Sequence, residues 1–459
     1  MKWRTRTNAT ALSVVIACGV IAAIPAVASP SIETSWTVYH GDAEGTGLST
    51  ALASVTTSTP RWTSPVLDGQ LYGEPLVFGS DVYVATEGDT VYALSAHNGA
   101  VVWSRHLATP VPSSALPCGD ISPSVGITGT PVLDPTRGEL FVVADTYRAG
   151  VVAHRLFGVN AATGAIELSV DVDPRGSYPP ALLQRTGLNL DRGQVIFGFG
   201  GNYGDCSTYR GRVVEVPETG GRPRVFTVDD VAGDSQGAVW MGGGAPAVDG
   251  RGDVWVSTGN GSVHSAGQRY DDSDAALDLT SRLGLRQYFA PTSWYSDNAS
   301  DLDMSSVPAL LSDGQVVLAG KSQVVYLLDG SHLGAVGPAR ASLSGVCGND
   351  VDGGAAVRGA IVYLPCVNGP VAIRVGASPP SLRVLWSARV GGGPPIVAAG
   401  LVWTIGQNGV LYGLDRATGA VRQSATIGAP ANHFPTPSVG DGLLLAPSEN
   451  RVVAFAGAT

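Results

Sequence analysis

The stretch VYALSAHNGAVVW, residues 91–103, contains the pattern that decides the fold of this chain. Apolar residues alternate with small or polar ones, a turn ends at Gly99, and a second short run ends at Trp103, which predicts a β-hairpin. The same unit returns as VLYGLDRATGAV at residues 410–421, and more loosely at residues 156–166 and 324–334. A hairpin that recurs in this way predicts an architecture built from repeats.

Each hairpin follows another pair of short strands, such as those at residues 75–78 and 81–85, so one unit holds four strands. The units begin about 40 to 60 residues apart, which is the spacing of four-stranded propeller blades. They begin near Gly73, Gly129, Leu188, Gly242, Ser305, Gly353, Gly392 and Phe434. The sequence therefore predicts an all-β fold, an eight-bladed β-propeller of four-stranded antiparallel blades.

The last predicted unit has room for only three strands, whereas an orphan strand precedes the first unit at residues 61–66. Sharing one blade between the two ends of the chain closes the ring and leaves no open sheet edge. The composition agrees with a turn-rich, folded chain: 61 Gly and 30 Pro among 459 residues, with 44% hydrophobic and 14% charged residues. Average proteins have roughly 12% Gly plus Pro.

The first 28 residues carry the features of an export signal. Basic residues precede an apolar run over residues 11–23, and the small residues Ala26 and Ala28 frame a cleavage site. We expect cleavage after Ala28, which leaves residues 29–459 as a single propeller domain that is secreted. A lipobox-like VIAC sequence makes a lipid anchor at Cys18 the alternative. No later stretch is apolar for long enough to span a membrane.

Charge and cysteine content narrow the function classes. Without the leader, 25 basic side chains stand against 38 acidic ones, which argues against nucleic acid as a partner. An even set of four cysteines in an exported chain predicts two disulfides. Three pairings exist, and we favour Cys118–Cys206 with Cys347–Cys366. The chain has no Cys-x-x-Cys-His motif for haem, no paired histidines for zinc and no Gly-x-Ser-x-Gly elbow for a hydrolase.

The blade pattern Tyr-x-Leu-Asp-x-x-Thr-Gly-x-x-x-Trp resembles the repeat of the quinoprotein-type propellers, which are built from pyrroloquinoline quinone (PQQ) repeats. The resemblance covers residues 33–457. Several stretches are similar to the polyvinyl-alcohol-dehydrogenase branch of that family. They are CGDI at 118–121, GTPV at 129–132, GGNYGDC at 200–206, VSTGNG at 256–261, YDDS at 270–273 and AGK at 319–321.

The resemblance implies a site. In the catalytic members, PQQ lies over the axis of the ring with a Ca²⁺ ion, and an Asp acts as the base on the alcohol. The motifs that match assign Asn260 as a calcium ligand, Asp272 as the base beside the metal, and Lys321 as the cation that contacts the quinone. Lys2 belongs to the leader, so Lys321 is the only lysine of the mature chain. Either the site requires an ammonium group at this position, or Lys321 is a surface residue without a function in a chain whose composition favours arginine over lysine.

Three departures from the dehydrogenases weigh against catalysis. The position where they have a calcium-binding Glu is Cys206 here, although the neighbouring Asp205 would substitute by reaching one residue further. Neither an adjacent pair of cysteines nor a haem motif is present. A second candidate site for Ca²⁺ is a group of seven carboxylates. The alternative interpretation of this group is a loop face exposed to solvent. The seven residues are Asp271, Asp272, Asp274, Asp278, Asp297, Asp301 and Asp303.

Two functions therefore stay open. The one we favour is an extracytoplasmic binding or scaffold protein, whose partner is an envelope protein or glycan. The alternative is a PQQ- and calcium-dependent oxidoreductase acting on a small alcohol, with Asp272, Asn260 and Lys321 in the roles given above. Because Cys206 stands where the dehydrogenases have a calcium-binding Glu, we favour the binding or scaffold role over the oxidoreductase.

Overall fold

A computed structural model of the chain describes residues 1–3, 35–430 and 434–458. The predicted cleavage site at Ala28 and the alternative anchor Cys18 lie outside these residues. Within the described part of the chain, no helix has both the length and the apolar character that crossing a bilayer requires.

Eight antiparallel sheets follow one another along the chain and form the blades of a propeller, as predicted. We number the blades in chain order. The strands of blade 1 are Leu76–Phe78, Asp81–Ala85, Thr90–Ser95 and Val101–His106. Those of blade 2 are Val132–Asp134, Glu139–Arg148, Val151–Asn160 and Ile166–Asp171. Those of blade 3 are Asn189–Asp191, Gln194–Gly201, Arg212–Pro217 and Arg224–Thr227, with Leu182–Leu183 added beside the second.

Blade 4 carries a fifth, parallel strand contributed from further along the chain. Its strands are Ala247–Val248, Val254–Thr258, Ala275–Leu279, Leu285–Ala290 and Ala335–Val336. Those of blade 5 are Ala309–Leu310, Gln315–Ala319, Val325–Asp329 and Ala341–Leu343. Those of blade 6 are Ala356–Arg358, Ile361–Leu364, Val371–Ala377 and Pro380–Ser387, and those of blade 7 are Ile396–Ala398, Leu401–Gly406, Val410–Asp415 and Val421–Thr426.

Blade 8 is shared by the two ends of the chain, which confirms the predicted closure of the ring. Its strands Ser438–Gly440, Leu443–Ser448 and Arg451–Ala458 come from the C-terminal end, and Ser54–Val55 and Trp62–Thr63 come from the N-terminal end. Trp62 pairs with Ala454 in this sheet. Since every sheet edge at this point finds a partner within the chain, the ring needs no other chain to complete it.

The repeat pattern that ends in Gly and Trp has a direct structural cause. The outer-strand Trp62 of blade 8 lies on Gly99 in the hairpin turn of blade 1, and its indole N–H donates to the carbonyl of Ala96 at 2.8 Å. Trp103 docks in the same way on Gly164 of blade 2. A Cβ at Gly99, where φ is +72°, would lie 2.5 Å from the Trp62 ring. Only glycine allows this contact, so the motif locks blade 8 to blade 1 and blade 1 to blade 2.

Few elements lie outside the blades. Between blades 1 and 2 the short strands Val111–Pro112 and Ser124–Val125 pair with each other. The helical turns are Ser113–Ala115, Pro179–Ala181 and Met241–Gly243, and the α-helix is Trp294–Ala299. All of these belong to the connections between blades.

Candidate functional site

Equivalent strands of all blades run in the same direction around the ring. The loop after the second strand of each blade and the connection to the next blade therefore emerge at the same end, which we call the mouth. Asn260 follows the second strand of blade 4, and Lys321 follows the second strand of blade 5. Asp301 and Asp303 lie in the connection between these two blades. The topology thus brings four side chains from three separate segments to one place.

Two glycines allow the carboxylate of Asp303 to approach. A Cβ on Gly259 would lie 2.3 Å from Oδ1 of Asp303, and a Cβ on Gly320 would lie 2.2 Å from its backbone carbonyl. These glycines precede Asn260 and Lys321, and they belong to the VSTGNG and AGK stretches. The two motifs therefore share one structural purpose, which is to let the loop that carries Asp303 approach the ends of two strands.

Lys321 is held between two carboxylates. Its Nζ lies 2.5 Å from Oδ2 of Asp303 and 3.1 Å from Oδ1 of Asp301, and it stands 5.5 Å from the centre of the Trp240 ring. Burial by itself lowers the pKa of Lys321, but the charges of Asp303 and Asp301 outweigh burial and raise the pKa above its ordinary value. The ammonium is therefore charged at any physiological pH. The contact with Trp240 is of the cation–π type.

Asn260 orients the same two carboxylates. Its backbone N–H donates to Oδ1 of Asp303, and its side-chain Nδ2 donates to Oδ1 of Asp301, both at 2.6 Å. These bonds determine which way the amide points, because only the nitrogen donates. The amide oxygen Oδ1 is left buried and without a hydrogen-bond partner in the described part of the chain. A buried acceptor with no donor is costly, and it indicates a place for a cation or a donor from a ligand.

Negative charge exceeds positive charge around Lys321. Asp205, Asp350 and Asp352 all interact electrostatically with Lys321 and with Asp303. Burial raises the pKa of Asp205, and a hydrogen bond from Tyr209 opposes that rise. Burial raises the pKa of Asp352 to about 7. Five carboxyl groups thus surround one ammonium, an environment that attracts a further cation.

An aromatic surface extends from Trp240 across the mouth. The ring of Phe434 lies 5.9 Å from that of Trp240, and the guanidinium of Arg185 lies 5.7 Å from Phe434 and 5.7 Å from Tyr72. Arg185 is buried, and its Nη2 has no hydrogen-bond partner within the described residues. Burial raises the pKa of the nearby Glu87 to about 8. Two cations therefore border one aromatic surface.

The structure does not bring Asp272 to this group. The backbone carbonyl of Asp272 accepts a bond from Thr258, and its carboxyl group interacts with Asp271 and Arg269. In the described chain Asp272 has no recorded contact with Lys321 or Asn260. Its role as the base stays a prediction, while the carboxylates that do face Lys321 are Asp301 and Asp303. Of the predicted metal set, Asp205 and Asn260 share neighbours and Asp272 stands apart.

The seven-carboxylate group predicted from sequence does not form a single site. Five of its members are buried, so the alternative of a solvated loop face is wrong for them; they are Asp271, Asp274, Asp278, Asp297 and Asp303. Asp278 bonds to Gln287 within blade 4, and Asp297 bonds to Ser293 at the α-helix. Across residues 35–430 and 434–458, no three His, Cys, Asp or Glu side chains converge as metal ligands would.

Both favoured disulfides are present, and both crosslink loops at the mouth. Cys118–Cys206 ties the connection after blade 1 to the loop of blade 3 next to Asp205. Cys347–Cys366 ties the connection after blade 5 to a loop of blade 6. The substitution of Cys206 at the glutamate position is therefore structural: the residue crosslinks the rim instead of presenting a carboxylate.

Sequence reasoning missed three residues of the site: Trp240, Arg185 and Glu87. Trp240 and Arg185 both lie in connections between blades and belong to none of the stretches that carry the family resemblance. A signal was available for the Asp301 and Asp303 pair, since both lie in the connection that leads into the blade that carries Lys321. The spacing by itself does not show which carboxylates face inward.

Comparison with known proteins agrees with this architecture. The family model described as outer membrane protein assembly factor BamB matches residues 36–271. No curated protein sequence matches the chain. Among solved structures, the quinohemoprotein alcohol dehydrogenase of Comamonas testosteroni superposes with a TM-score of 0.66 at 16% identity, over 93% of this chain and 81% of that one.

Two other solved structures are similar over most of the chain. A europium-containing methanol dehydrogenase gives a TM-score of 0.66 at 15% identity, over 92% of this chain and 98% of that one. BamB of Moraxella catarrhalis gives 0.56 at 16% identity, over 88% of this chain and 98% of that one. At such low identity these likenesses establish the fold and leave the activity to the site itself.

Proposed function

Since the chain belongs to the family of PQQ-repeat β-propellers that includes BamB, we propose that its mouth site binds a quinone of the PQQ type with a metal ion and oxidises an alcohol. The observation that carries this proposal is the buried, unpartnered Oδ1 of Asn260 beside Asp301, Asp303 and Lys321. A site that served only to stabilise the fold would not need an orphaned acceptor among carboxylates.

The oxygen donors fit a hard cation. Ca²⁺ prefers carboxylate and amide oxygens, and Asn260 supplies the amide oxygen while Asp303 and Asp205 supply carboxylates nearby. One amide oxygen with two carboxylates is a donor set of a kind that contains fewer than three His, Cys, Asp or Glu side chains. The excess of carboxyl groups over the single ammonium also suits a trivalent ion, the class of metal in the europium-containing relative.

The aromatic surface and the two cations fit a flat, anionic quinone. Trp240 and Phe434 offer ring faces, and Lys321 and Arg185 are placed to neutralise negative charge on a bound ring system. When bound, such a quinone accepts two electrons from the alcohol carbon. The chain supplies the rest: a surface for the ring, charge compensation and a proton acceptor.

We assign the proton acceptor to Asp301. Both Asp301 and Asp303 bond to Asn260 and Lys321, but the side chain of Asp301 is 72% exposed at the mouth and that of Asp303 is 10% exposed. An exposed carboxylate next to an ammonium is accessible to substrate, and a general base must reach the proton that it abstracts. Asp272 remains the alternative base, and variants of Asp301 and Asp272 can be compared directly.

The test is reconstitution of the purified protein with PQQ and either Ca²⁺ or Eu³⁺. Binding is followed by quenching of tryptophan fluorescence and by calorimetry, and turnover by dye-coupled oxidation of primary alcohols. We expect N260A to weaken metal and PQQ binding. D301N should retain binding and lose about a hundredfold or more in turnover, the scale of a lost general base. D272N should behave as wild type.

Two outcomes would count against this assignment. Absence of both PQQ binding and alcohol oxidation at micromolar protein would remove the oxidoreductase. Loss of turnover in D272N with normal turnover in D301N would transfer the role of base to Asp272. With no haem motif in the sequence, electrons from the quinone would pass to an external acceptor, which the dye replaces in the assay.

A binding or scaffold role is the second candidate, and one feature of the site favours it. The charge of Lys321 is already compensated by Asp301 and Asp303 without any cofactor. The matched family model is also that of an assembly factor. On this candidate the loops of the mouth would bind an envelope protein or glycan, and the same reconstitution separates the two, since a scaffold would bind neither PQQ nor metal.

We also propose that the protein works outside the cytoplasm after cleavage at Ala28. Disulfides persist in oxidising compartments, and all four cysteines beyond the leader are paired. N-terminal sequencing of the protein from culture medium tests this. A mature chain that starts at Ser29 supports it, and a lipid-modified Cys18 in the membrane fraction contradicts it.

A further inference from the structure

A cleft of about 960 Å³ lies along the outer side of blade 3. The connection from blade 2, the loop that leads into the third strand of blade 3, and the outer strand Arg224–Thr227 line it. Small-molecule pockets occupy roughly 300–1,000 Å³, so this cleft accommodates a ligand longer than a single ring. Nothing in the proposed function of the mouth site uses it.

The cleft is rich in arginine on a protein that is otherwise strongly acidic. Five guanidinium groups line it, and they belong to Arg175, Arg210, Arg212, Arg222 and Arg224. The chain beyond the leader has 25 basic side chains against 38 acidic ones. A local concentration of positive charge against that background focuses the field on anions that enter the cleft.

The acidic residues that line the cleft already have partners. The pairs are Asp171 with Arg155 at 2.8 Å, Asp173 with His154 at 2.6 Å and Asp230 with Arg210 at 3.4 Å. Arg224 in turn pairs with Glu215 at 2.6 Å. In the described residues no ion pair is recorded for Arg175, Arg212 or Arg222, which leaves three guanidinium groups for a ligand.

Arg212 is the most informative of the three. It is half-buried, and the bond recorded for its side chain is donated by Nη1 to the adjacent Gly211 carbonyl at 3.0 Å. Burial, together with the neighbouring charge of Arg210, lowers the pKa of Arg212 to about 10. The charge of Asp230 opposes this shift without forming an ion pair with Arg212, so burial of the guanidinium still destabilises the folded chain, and an incoming anion would reduce that cost.

The remaining lining points to a sugar. Tyr178 is 57% exposed, which is unusual for so large a ring, and Pro174 and Pro223 add further flat apolar surface. The C–H-rich face of a pyranose packs on such surfaces, and guanidinium forks pair with planar acidic groups. A peptide would pair with the outer strand, but that strand has four residues and is preceded by Pro223, which donates no hydrogen bond.

We propose that this cleft binds an acidic glycan, whose carboxylate or sulfate groups pair with Arg175, Arg212 and Arg222 while a sugar ring packs on Tyr178. The residues that line the cleft include none of those assigned to the metal and quinone, and the proposal does not depend on whether the mouth is catalytic. The link between the two is Tyr209, which lines the cleft and bonds to Asp205.

Calorimetry with the purified protein tests the proposal in two arms, one with oligogalacturonate and one with a sulfated oligosaccharide of equal length. A neutral malto-oligosaccharide and poly-glutamate serve as controls. We expect one or both acidic glycans to bind, with affinity that falls as salt rises, and the controls not to bind. R175Q/R222Q should weaken binding by about tenfold or more, because two charge-assisted pairs are lost.

R374Q/R383Q is the matched control, since it removes two exposed, cross-strand arginines from blade 6 and leaves the cleft unchanged. It should change the affinity by less than about twofold if non-specific charge contributes little. R212M should weaken binding and raise the unfolding midpoint together, as expected when an uncompensated charge leaves a half-buried position.

Several results would overturn the proposal. They are equal binding of poly-glutamate, an equal loss in R374Q/R383Q, no binding of either acidic glycan at low salt, or a lower unfolding midpoint in R212M. N260A and K321R should leave glycan affinity unchanged. Failure of the mouth-site proposal and failure of this one are therefore distinguishable.

Discussion

Replacing Lys321 by Met is the sharpest test of the electrostatics of the mouth. The variant keeps much of the aliphatic chain and removes the charge that lies 2.5 Å from Asp303 and 3.1 Å from Asp301. Breaking a buried ion pair by removing one partner costs about 3–5 kcal/mol, and an exposed pair contributes about 1 kcal/mol or less. Asp303 is buried and Asp301 is exposed, so nearly all of the cost falls on Asp303.

We expect the lower end of that range, about 3 kcal/mol, because Lys321 is 19% exposed and Asp303 keeps its bond from the Asn260 N–H. K321R should cost about 1 kcal/mol, since the charge remains and only the geometry suffers. In the double variant K321M/D303N the carboxylate is neutral, so its loss should be smaller than that of K321M alone.

Urea unfolding at pH 7 with chelator present measures these differences as shifts in midpoint at constant slope. R422M is the matched control: it breaks the exposed pair with Asp415 and should cost less than about 1 kcal/mol. Added Ca²⁺ should raise the midpoint of K321M more than that of wild type, because five carboxyl groups then lack their ammonium. A cost in K321M no larger than in R422M, or additive losses in the double variant, would refute the reasoning.

Three further predictions follow from buried groups and crosslinks. The raised pKa of Glu87, about 8, means that the folded chain holds a proton that the unfolded chain has released above pH 4.5. Glu87 should therefore lower the free energy of unfolding by about 1.4 kcal/mol per pH unit between pH 4.5 and 8. E87Q should flatten this pH dependence when unfolding by urea is measured across that range. An unchanged slope in E87Q would contradict the assignment. The cysteines of Cys118–Cys206 are 88 positions apart in sequence and those of Cys347–Cys366 are 19 apart. The chain-entropy relation therefore predicts a cost of about 4–5 kcal/mol for opening the first and about 3 kcal/mol for opening the second, and calorimetry on C118S/C206S and C347S/C366S checks the order. W62A should cost about 3–5 kcal/mol, because it removes a buried ring from the contact that closes blade 8 on blade 1, and a melting temperature within a degree of wild type would contradict this.

The fold followed from sequence because its signals are local. Alternating strands and turn glycines recur along the chain, some units add a Trp in the outer strand, and the structure confirms eight blades and the closure at Trp62. The Gly99–Trp62 contact explains why that pair of residue types recurs. The favoured disulfide pairing, Cys118–Cys206 with Cys347–Cys366, is also confirmed.

The site followed only in part. Asn260 and Lys321 were identified from motifs, and they share two carboxylates in the structure. The sequence placed Asp272, Asp301 and Asp303 in one acidic group, but it did not indicate that Asp301 and Asp303 are the two that contact Lys321. Their positions along the chain do not distinguish them from Asp272. Their difference lies in which loop turns towards Lys321, and that depends on the packing of blade 4 against blade 5.

The sequence by itself determined the repeat, the number of blades and the joining of the two ends, since each unit's hydrogen bonds and turn conformations are encoded within about 50 residues of chain. Only the tertiary structure decided which charges meet. The group around Lys321 combines loops of several blades, and the arginine cleft combines two blade connections with an outer strand. Electrostatic contacts act across space between residues that are distant in sequence, so no local pattern records them.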